Sequence, residues 1–255
     1  AKLPNAEAVI NPNRLDDESN LGMLAAVGVV FMLVGAIKIK LSNLNYFNES
    51  NSPNLSNILD LVALGTICDV VPLVGPNRAI VSQGLKIMAK TNNIGIKKLF
   101  EVSGIEETPK VFHAGFILGP RINAGGRVGE AYLGSQLLTT NDESEALNIS
   151  FKLNSFNEQR KNIENIVLEE AKQMAQKQGK LDILVLHSKN WHTGVIGIVA
   201  SRIVEYFNKP TIIINEDGIE SKGSGRSVYG LDIGKMITAA KQAGIIENGG
   251  GHPMA

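Results

Sequence analysis

The chain has 255 residues, 44% of them apolar and 20% charged, with 25 Lys+Arg balanced by 25 Asp+Glu. This is the composition of a folded globular protein, and the zero balance excludes a general basic field, so any anion site must be built from individually placed arginines. A single cysteine, Cys68, excludes an internal disulfide and fits a reducing, cytoplasmic compartment.

The first residues lack the basic, apolar, small-residue order of a secretory leader. Ala8-Val9-Ile10 reads as a short strand closed by Asn11-Pro12-Asn13, and Asp16, Asp17 and Ser19 supply helix-start chemistry for an apolar helix after them. Leu21 to Ile37 is apolar throughout, with Gly22, Gly28 and Gly35 inside it and Lys38 and Lys40 beyond. Its length is at the short limit of a membrane span. Its small residues suit close helix packing, so a buried core helix is expected and no membrane partner. A loop from Leu44 to Pro53 leads to a helix from about Ser56 that should stop at Gly65.

Asp69 is a lone acid in the apolar run Gly65 to Leu73. It is either a helix-cap or turn aspartate, or a buried carboxylate that needs a cation, a metal or several N–H donors. Helical patterns come next over Asn77 to Ala89, Ile96 to Phe100 and Pro109 to Leu118. His113 reads as an ordinary core or surface histidine, since no acid or second histidine lies at helical spacing.

Gly119-Pro120-Arg121-Ile122-Asn123-Ala124-Gly125-Gly126-Arg127 then places two arginines and an asparagine among three glycines. Glycines can turn backbone amides towards one point, and arginine matches phosphate oxygens two at a time, so a phosphate-cradling loop is one reading. A solvated turn between two helices is the other.

Thr140 begins an N-cap pattern with an acid three positions on, and no proline or glycine then occurs before Gly179. Ile149, Leu153, Phe156, Ile163, Val167 and Met174 recur at helical spacing, interrupted by Arg160. One long helix joining two domains is expected, over 141–179. Beyond it come a strand over Leu181 to Leu186, a helix over Gly194 to Phe207 and a strand over Thr211 to Ile214. An extended segment over Ile219 to Val228 and a helix over Leu231 to Ala243 complete the pattern. This β-α-β-β-α order predicts a small α/β domain around a mixed sheet. Within it Ser224 and Arg226 alternate with Gly223 and Gly225, which suits either a functional face or an exposed edge strand. His192 is expected to cap the second-domain helix or pack on Trp191. His252 closes a glycine cluster and can titrate near neutrality.

Several of these stretches together resemble the DHH/DHHA1 phosphoesterase family, in the form seen in the RecJ single-strand-specific 5′ exonucleases. Ala63 to Leu73 is similar to the family's fourth motif, and Gly119 to Arg127 to its G-P-R-hydrophobic-N-A-A-G-R loop. Trp191 to Arg202 resembles the start of the DHHA1 domain, while Gly223 to Ser227 and Gly250-Gly251-His252 resemble that domain's two substrate motifs. Leu3-Pro4 through Arg14 resembles the segment after the family's Asp-His-His motif. The resemblance implies an α/β protein, the C-terminal part of a DHH domain (1–140) joined by a long helix (141–179) to a small DHHA1 domain (180–255). It implies Mn²⁺ or Mg²⁺ as cofactor with Asp69 as a catalytic metal ligand, and single-stranded DNA as partner in repair and recombination. Arg121, Asn123, Arg127, Ser224, Arg226 and His252 would bind the 5′ or scissile phosphate.

The family's Asp-x-Asp and Asp-His-His motifs lie upstream of Ala1, and an oligonucleotide-binding-type domain is expected downstream of Ala255. Both ends therefore read as cuts within a longer protein, and Gly125 stands where the family usually has alanine. With most metal ligands outside the chain, the fragment alone is expected not to hydrolyse DNA. The alternatives are a DHH-type phosphodiesterase for nanoRNA or cyclic dinucleotides, disfavoured by the Gly119–Arg127 stretch and the long helix, and a non-catalytic nucleic-acid-binding module, disfavoured by the Asp69 motif.

Overall fold

The order of elements is set by glycine punctuation and apolar periodicity, and a computed structural model describes residues 3–48, 50–179, 181–218 and 220–255. It has helices α1 (Ala26–Asn43), α2 (Leu59–Cys68), α3 (Gly75–Met88), α4 (Ile94–Val102), α5 (Gly119–Val128), α6 (Leu133–Thr139) and α7 (Glu143–Lys177). Strand β1 (Leu184–Ser188), α8 (Thr193–Phe207), β2 (Thr211–Asp217), β3 (Glu220–Arg226) and α9 (Ile233–Gln242) complete the order. The chain divides into two compact units, residues 1–123 with 132–154 and residues 124–131 with 155–255.

In the first unit α2 packs on α3, and its core is drawn from Ala63, Ile67, Ile96, Leu99, Leu118, Leu137 and Leu153. Several local expectations are corrected there. Residues 8–10 are not a strand. Asp16 pairs with Arg14, and Asp17 accepts from the backbone N–H and hydroxyl of Ser19, so neither is left to cap α1, which starts later, at Ala26. Helix α1 is not a buried core helix: Gly28 is its one buried residue, and Val30, Met32, Ile37 and Ile39 are exposed. The reason is that its packing on the Leu24–Val62–Ile80 cluster runs through Val27, Val29 and Phe31, all near its start. By length and composition this helix is apolar enough to cross a membrane. Gly65 does not end α2; it lies inside the helix against Val27, and the helix runs on to Cys68.

The Gly119–Arg127 stretch is not a loop. A π-helical turn, His113–Leu118, leads straight into α5, and none of its three glycines has positive φ. Each glycine costs a helix about 1 kcal/mol relative to alanine, so packing must offset that. A Cβ on Gly119 would stand 2.5 Å from the Cys68 sulfur, so the missing side chain is what lets α2 and α5 approach. The long helix is present, 35 residues from Glu143 to Lys177, about 53 Å at 1.5 Å per residue. Its cap is Asp142 instead of Thr140: the Asp142 carboxylate accepts from Glu145 N–H at 2.8 Å, and the Thr140 hydroxyl donates to the Glu145 carboxylate.

The second unit holds the expected mixed sheet. Order is β1-β2-β3, with β1 parallel to β2 and β3 antiparallel to it. The parallel pair is joined by α8 as crossover helix. Leu184, Leu186 and Ile213 point to a core shared with Val195, Val199 and Ile203 of α8 and Val167, Ala171 and Ala175 of α7. Trp191 closes this core at 1% exposure and donates its indole N–H to Glu170 at 2.8 Å. His192 caps α8, its Nδ1 accepting from Gly194 N–H at 3.0 Å. Of the extended segment expected over 219–228, Ile219 lies outside the described residues.

Candidate phosphate-binding site

Antiparallel register sets the site in the second unit. Ile213 pairs with Ser224 and Thr211 with Arg226, so these two polar side chains share the sheet face that carries buried Ile213, the face α8 covers. Gly223 and Gly225 fall on the opposite face, where Gly225 meets Ile233 of α9. A polar pair thus lies between a strand and a helix and must find partners there.

It finds them on α8. Arg226 Nε donates to Ser201 Oγ at 3.2 Å, and Nη1 donates to Ser224 Oγ at 3.1 Å and to the Gly225 carbonyl at 2.7 Å. Ser201 Oγ in turn donates to the Gly197 carbonyl at 3.2 Å. Gly197 is the close-approach position: a Cβ there would lie 3.1 Å from Ser224 Oγ and 3.2 Å from Arg226 Nη2. Only glycine leaves both side chains undisturbed.

Arg127, near the end of α5, reaches the same place, with Nη1 donating to the Gly194 carbonyl at 3.0 Å. Arg127, Gly197, Ile198, Ser201, Arg202, Glu205 and Arg226 line a cleft of about 370 Å³. Three arginines there face one carboxylate, Glu205. Desolvation, then repulsion from Arg160, holds the Arg127 guanidinium below its ordinary pKa; Glu164 opposes the shift and Arg226 adds to it. Cations crowded and part-desolvated in this way gain from a bound anion, and guanidinium forks suit phosphate oxygens.

Of the residues singled out from sequence, Arg127, Ser224 and Arg226 come together. His252 belongs to the same unit, but its side chain is exposed and does not line the cleft. Its segment is anchored by backbone: Ser227 N–H donates to Met254 and Ile233 N–H to Pro253. Arg121 and Asn123 lie in the first unit. Arg121 Nε donates to Asn154 Oδ1 and Nη1 to the Ile117 carbonyl, both at 2.9 Å, while Asn123 is exposed.

Asp69 is also in the first unit and is not a buried acid; it is exposed, at the C-cap of α2. The buried carboxylate is Asp60, 1% exposed, which accepts from the Thr91 hydroxyl. Burial, and after it the charge of Asp69, pushes the Cys68 thiol up to about 11. Val70, next in sequence, has φ of 56° and is 86% exposed, a left-handed conformation that is a true outlier for a β-branched residue. His113 is buried and does have an acidic partner, Glu107, at 3.2 Å, six residues away and outside helical spacing.

Sequence reasoning missed Arg202, Arg160 and Glu164. The interruption of the apolar stripe of α7 by Arg160 was the signal: Asn157, Arg160 and Glu164 lie at helical spacings of three and four.

Residues 180–255 match the family described as the DHHA1 domain. This part of the chain is similar to DHHA1 domains. It contributes every residue lining the cleft except Arg127. Across 99% of its length the chain is 41% identical to the single-stranded-DNA-specific exonuclease RecJ of Dickeya dadantii (strain 3937) and covers 46% of that relative. The RecJ of Escherichia coli (strain K12) is 40% identical, with the same two coverages of 99% and 46%. The chain thus spans about half the length of the curated relatives it matches.

A crystal structure of RecJ in complex with Mn²⁺ from Thermus thermophilus has a TM-score of 0.77 at 32% identity, over 89% of this chain and 32% of that one. A crystal structure of exonuclease RecJ bound to manganese gives 0.72 at 32% identity, over 89% of this chain and 54% of that one. RecJ exonucleases are therefore homologous to the chain along its length, and the mixed α/β class with a DHHA1 domain is as the sequence predicts.

Structures of the relatives hold Mn²⁺ or Mg²⁺. Among the described residues of this chain no three His, Cys, Asp or Glu side chains stand together as a metal cluster. With Asp69 exposed and alone in that sense, the described residues do not make up a metal centre by themselves.

Proposed function

We propose that this stretch is the substrate-gripping portion of a metal-dependent nuclease that hydrolyses single-stranded DNA from its 5′ end. One observation carries it: Arg226, held by Ser201, Ser224 and Gly225, shares a cleft with Arg127 and Arg202. Fixed guanidinium groups of this kind bind phosphate without needing a basic protein as a whole. The names of the relatives, all single-stranded-DNA-specific exonucleases, support the substrate class. In this assignment Arg121, Asn123 and His252 add further phosphate contacts, and Asp69 supplies one ligand to Mn²⁺ or Mg²⁺. A role in DNA repair and recombination in the cytoplasm belongs to the same proposal, and the single cysteine is consistent with that compartment.

The test is a titration of the chain with a fluorescent single-stranded oligonucleotide carrying a 5′ phosphate, against the same strand with a 5′ hydroxyl and against a duplex. The 5′-phosphorylated strand should bind tightest, and Arg226→Ala should weaken it by about tenfold or more, the loss of a charged hydrogen bond. Equal affinity for wild type and Arg226→Ala would overturn the proposal.

A further inference from the structure

Glu164 is buried in the second unit, 2% exposed, on the part of α7 that faces α8. A buried carboxylate is tolerated when its oxygens are paired. Both are: Oε2 accepts from Arg160 Nη1 at 2.5 Å, and Oε1 accepts from Arg202 Nε at 2.5 Å. Arg160 is spent inside the protein, since its Nη2 donates to Asn157 Oδ1 at 2.9 Å and its side chain is 12% exposed. Arg202 is different. Its side chain is 53% exposed, it lines the cleft, and among the described residues its terminal amino groups donate to nothing.

On α8, Gly197 and Ser201 contact the Ser224–Arg226 pair, and Arg202 and Glu205 continue the same wall of the cleft. The volume of about 370 Å³ suits a nucleotide better than one isolated phosphate. Arg226 at one place and Arg202 beside it suit successive phosphates of one strand.

We infer that Arg202 is a second phosphate-contacting residue of this cleft, and that Glu164 is the positioning residue that holds it by Nε. The remaining two nitrogens of the guanidinium are thereby presented as a free fork. Arg160, on the other oxygen, holds Glu164 in place. This inference rests on the cleft gripping phosphate, as proposed above, and adds a residue pair to it.

The experiment uses the full chain and a 5′-phosphorylated oligothymidylate, with affinity measured by fluorescence anisotropy over a salt series. Arg202→Ala should lower affinity by about tenfold, as for a charged hydrogen bond, and make the log–log salt slope shallower by about 0.7, the value for one phosphate of a single strand. Glu164→Gln should weaken binding similarly, yet add nothing in the Arg202→Ala background, a coupling that a purely structural role would not produce. If Glu164→Gln unfolds by circular dichroism, Glu164→Asp, which keeps the charge but shortens its reach, takes its place in the same cycle. Should Arg226→Ala weaken binding while Arg202→Ala does not, this inference falls and the phosphate cleft stands. Should neither weaken it, both fall. Additive effects of the Glu164 and Arg202 variants would overturn the positioning role.

Discussion

Arg127 donates to the carbonyl oxygen of Gly194 at 3.0 Å, tying the last turn of α5 to the first turn of α8. The two backbones nearly touch, since a Cβ on Gly194 would lie 2.1 Å from the Arg127 carbonyl oxygen. One guanidinium nitrogen is used in this strut and the rest of the fork is left for the cleft. Arg127→Ala is expected to weaken binding of a 5′-phosphorylated strand by about tenfold. Arg127→Lys, which keeps charge but not the fork, should fall between. Unchanged affinity in Arg127→Ala would remove this residue from the site; anisotropy titration decides.

Gly197→Ala separates binding from folding. Alanine is better than glycine inside a helix by about 1 kcal/mol, so thermal stability should hold or rise. The added methyl would press on Ser224 Oγ and Arg226 Nη2, and phosphate affinity should drop several-fold. A variant that melts earlier but binds normally would contradict this account.

Cys68 gives a pH signature. Its thiol is pushed up to about 11 from an ordinary 9.0 by burial and by Asp69. Alkylation by iodoacetamide should be slow at pH 8 and climb as pH approaches 11. The folded state binds this proton more tightly than the unfolded one, so the stability it contributes is fully present below about pH 9 and lost by about pH 11. Asp69→Asn should shift the alkylation profile to lower pH, and Cys68→Ser should remove that part of the stability loss. An alkylation midpoint near 9 in the native protein would refute the burial argument.

Val70→Gly should stabilise the first unit. Val70 is exposed and sits at φ of 56°, which costs an L-residue about 1–2 kcal/mol that glycine does not incur. Part of the gain is lost to the freer unfolded chain, leaving about 1 kcal/mol. Denaturant unfolding would show a higher midpoint, and a lower one would mean that Val70 makes contacts worth more than its strain.

Particular elements show what was readable in advance. The β-α-β-β-α order of the second unit was legible because apolar alternation and helical spacing alternate there between proline and glycine breaks. The His192 cap was legible because capping is local: its partner is two residues away. The nine residues from Gly119 were misread as a loop because glycine content describes backbone freedom, whereas here close packing against Cys68 and the Arg121–Asn154 bond hold a helix. Asp60 and Asp69 show the same thing for charge. Which acid is buried depended on Thr91, 31 residues from Asp60, and no local pattern carries that. Arg127, Ser224 and Arg226 were picked out by residue type, but their common cleft depends on strand register and on a helix crossing at Gly197. Glu164 was invisible for a similar reason, since its partner Arg202 lies 38 residues away.

Helix α1 has a practical consequence for anyone handling this chain. Val30 and Ile37 on one face, and Met32 and Ile39 on the nearly opposite one, stand open to water, and exposed apolar patches drive self-association. Recovery from expression and behaviour at crystallisation concentrations will be governed by those exposed side chains more than by the second unit. Changing Val30, Ile37 and Ile39 to glutamate or lysine should yield a better-behaved sample for binding work without altering any residue that lines the cleft.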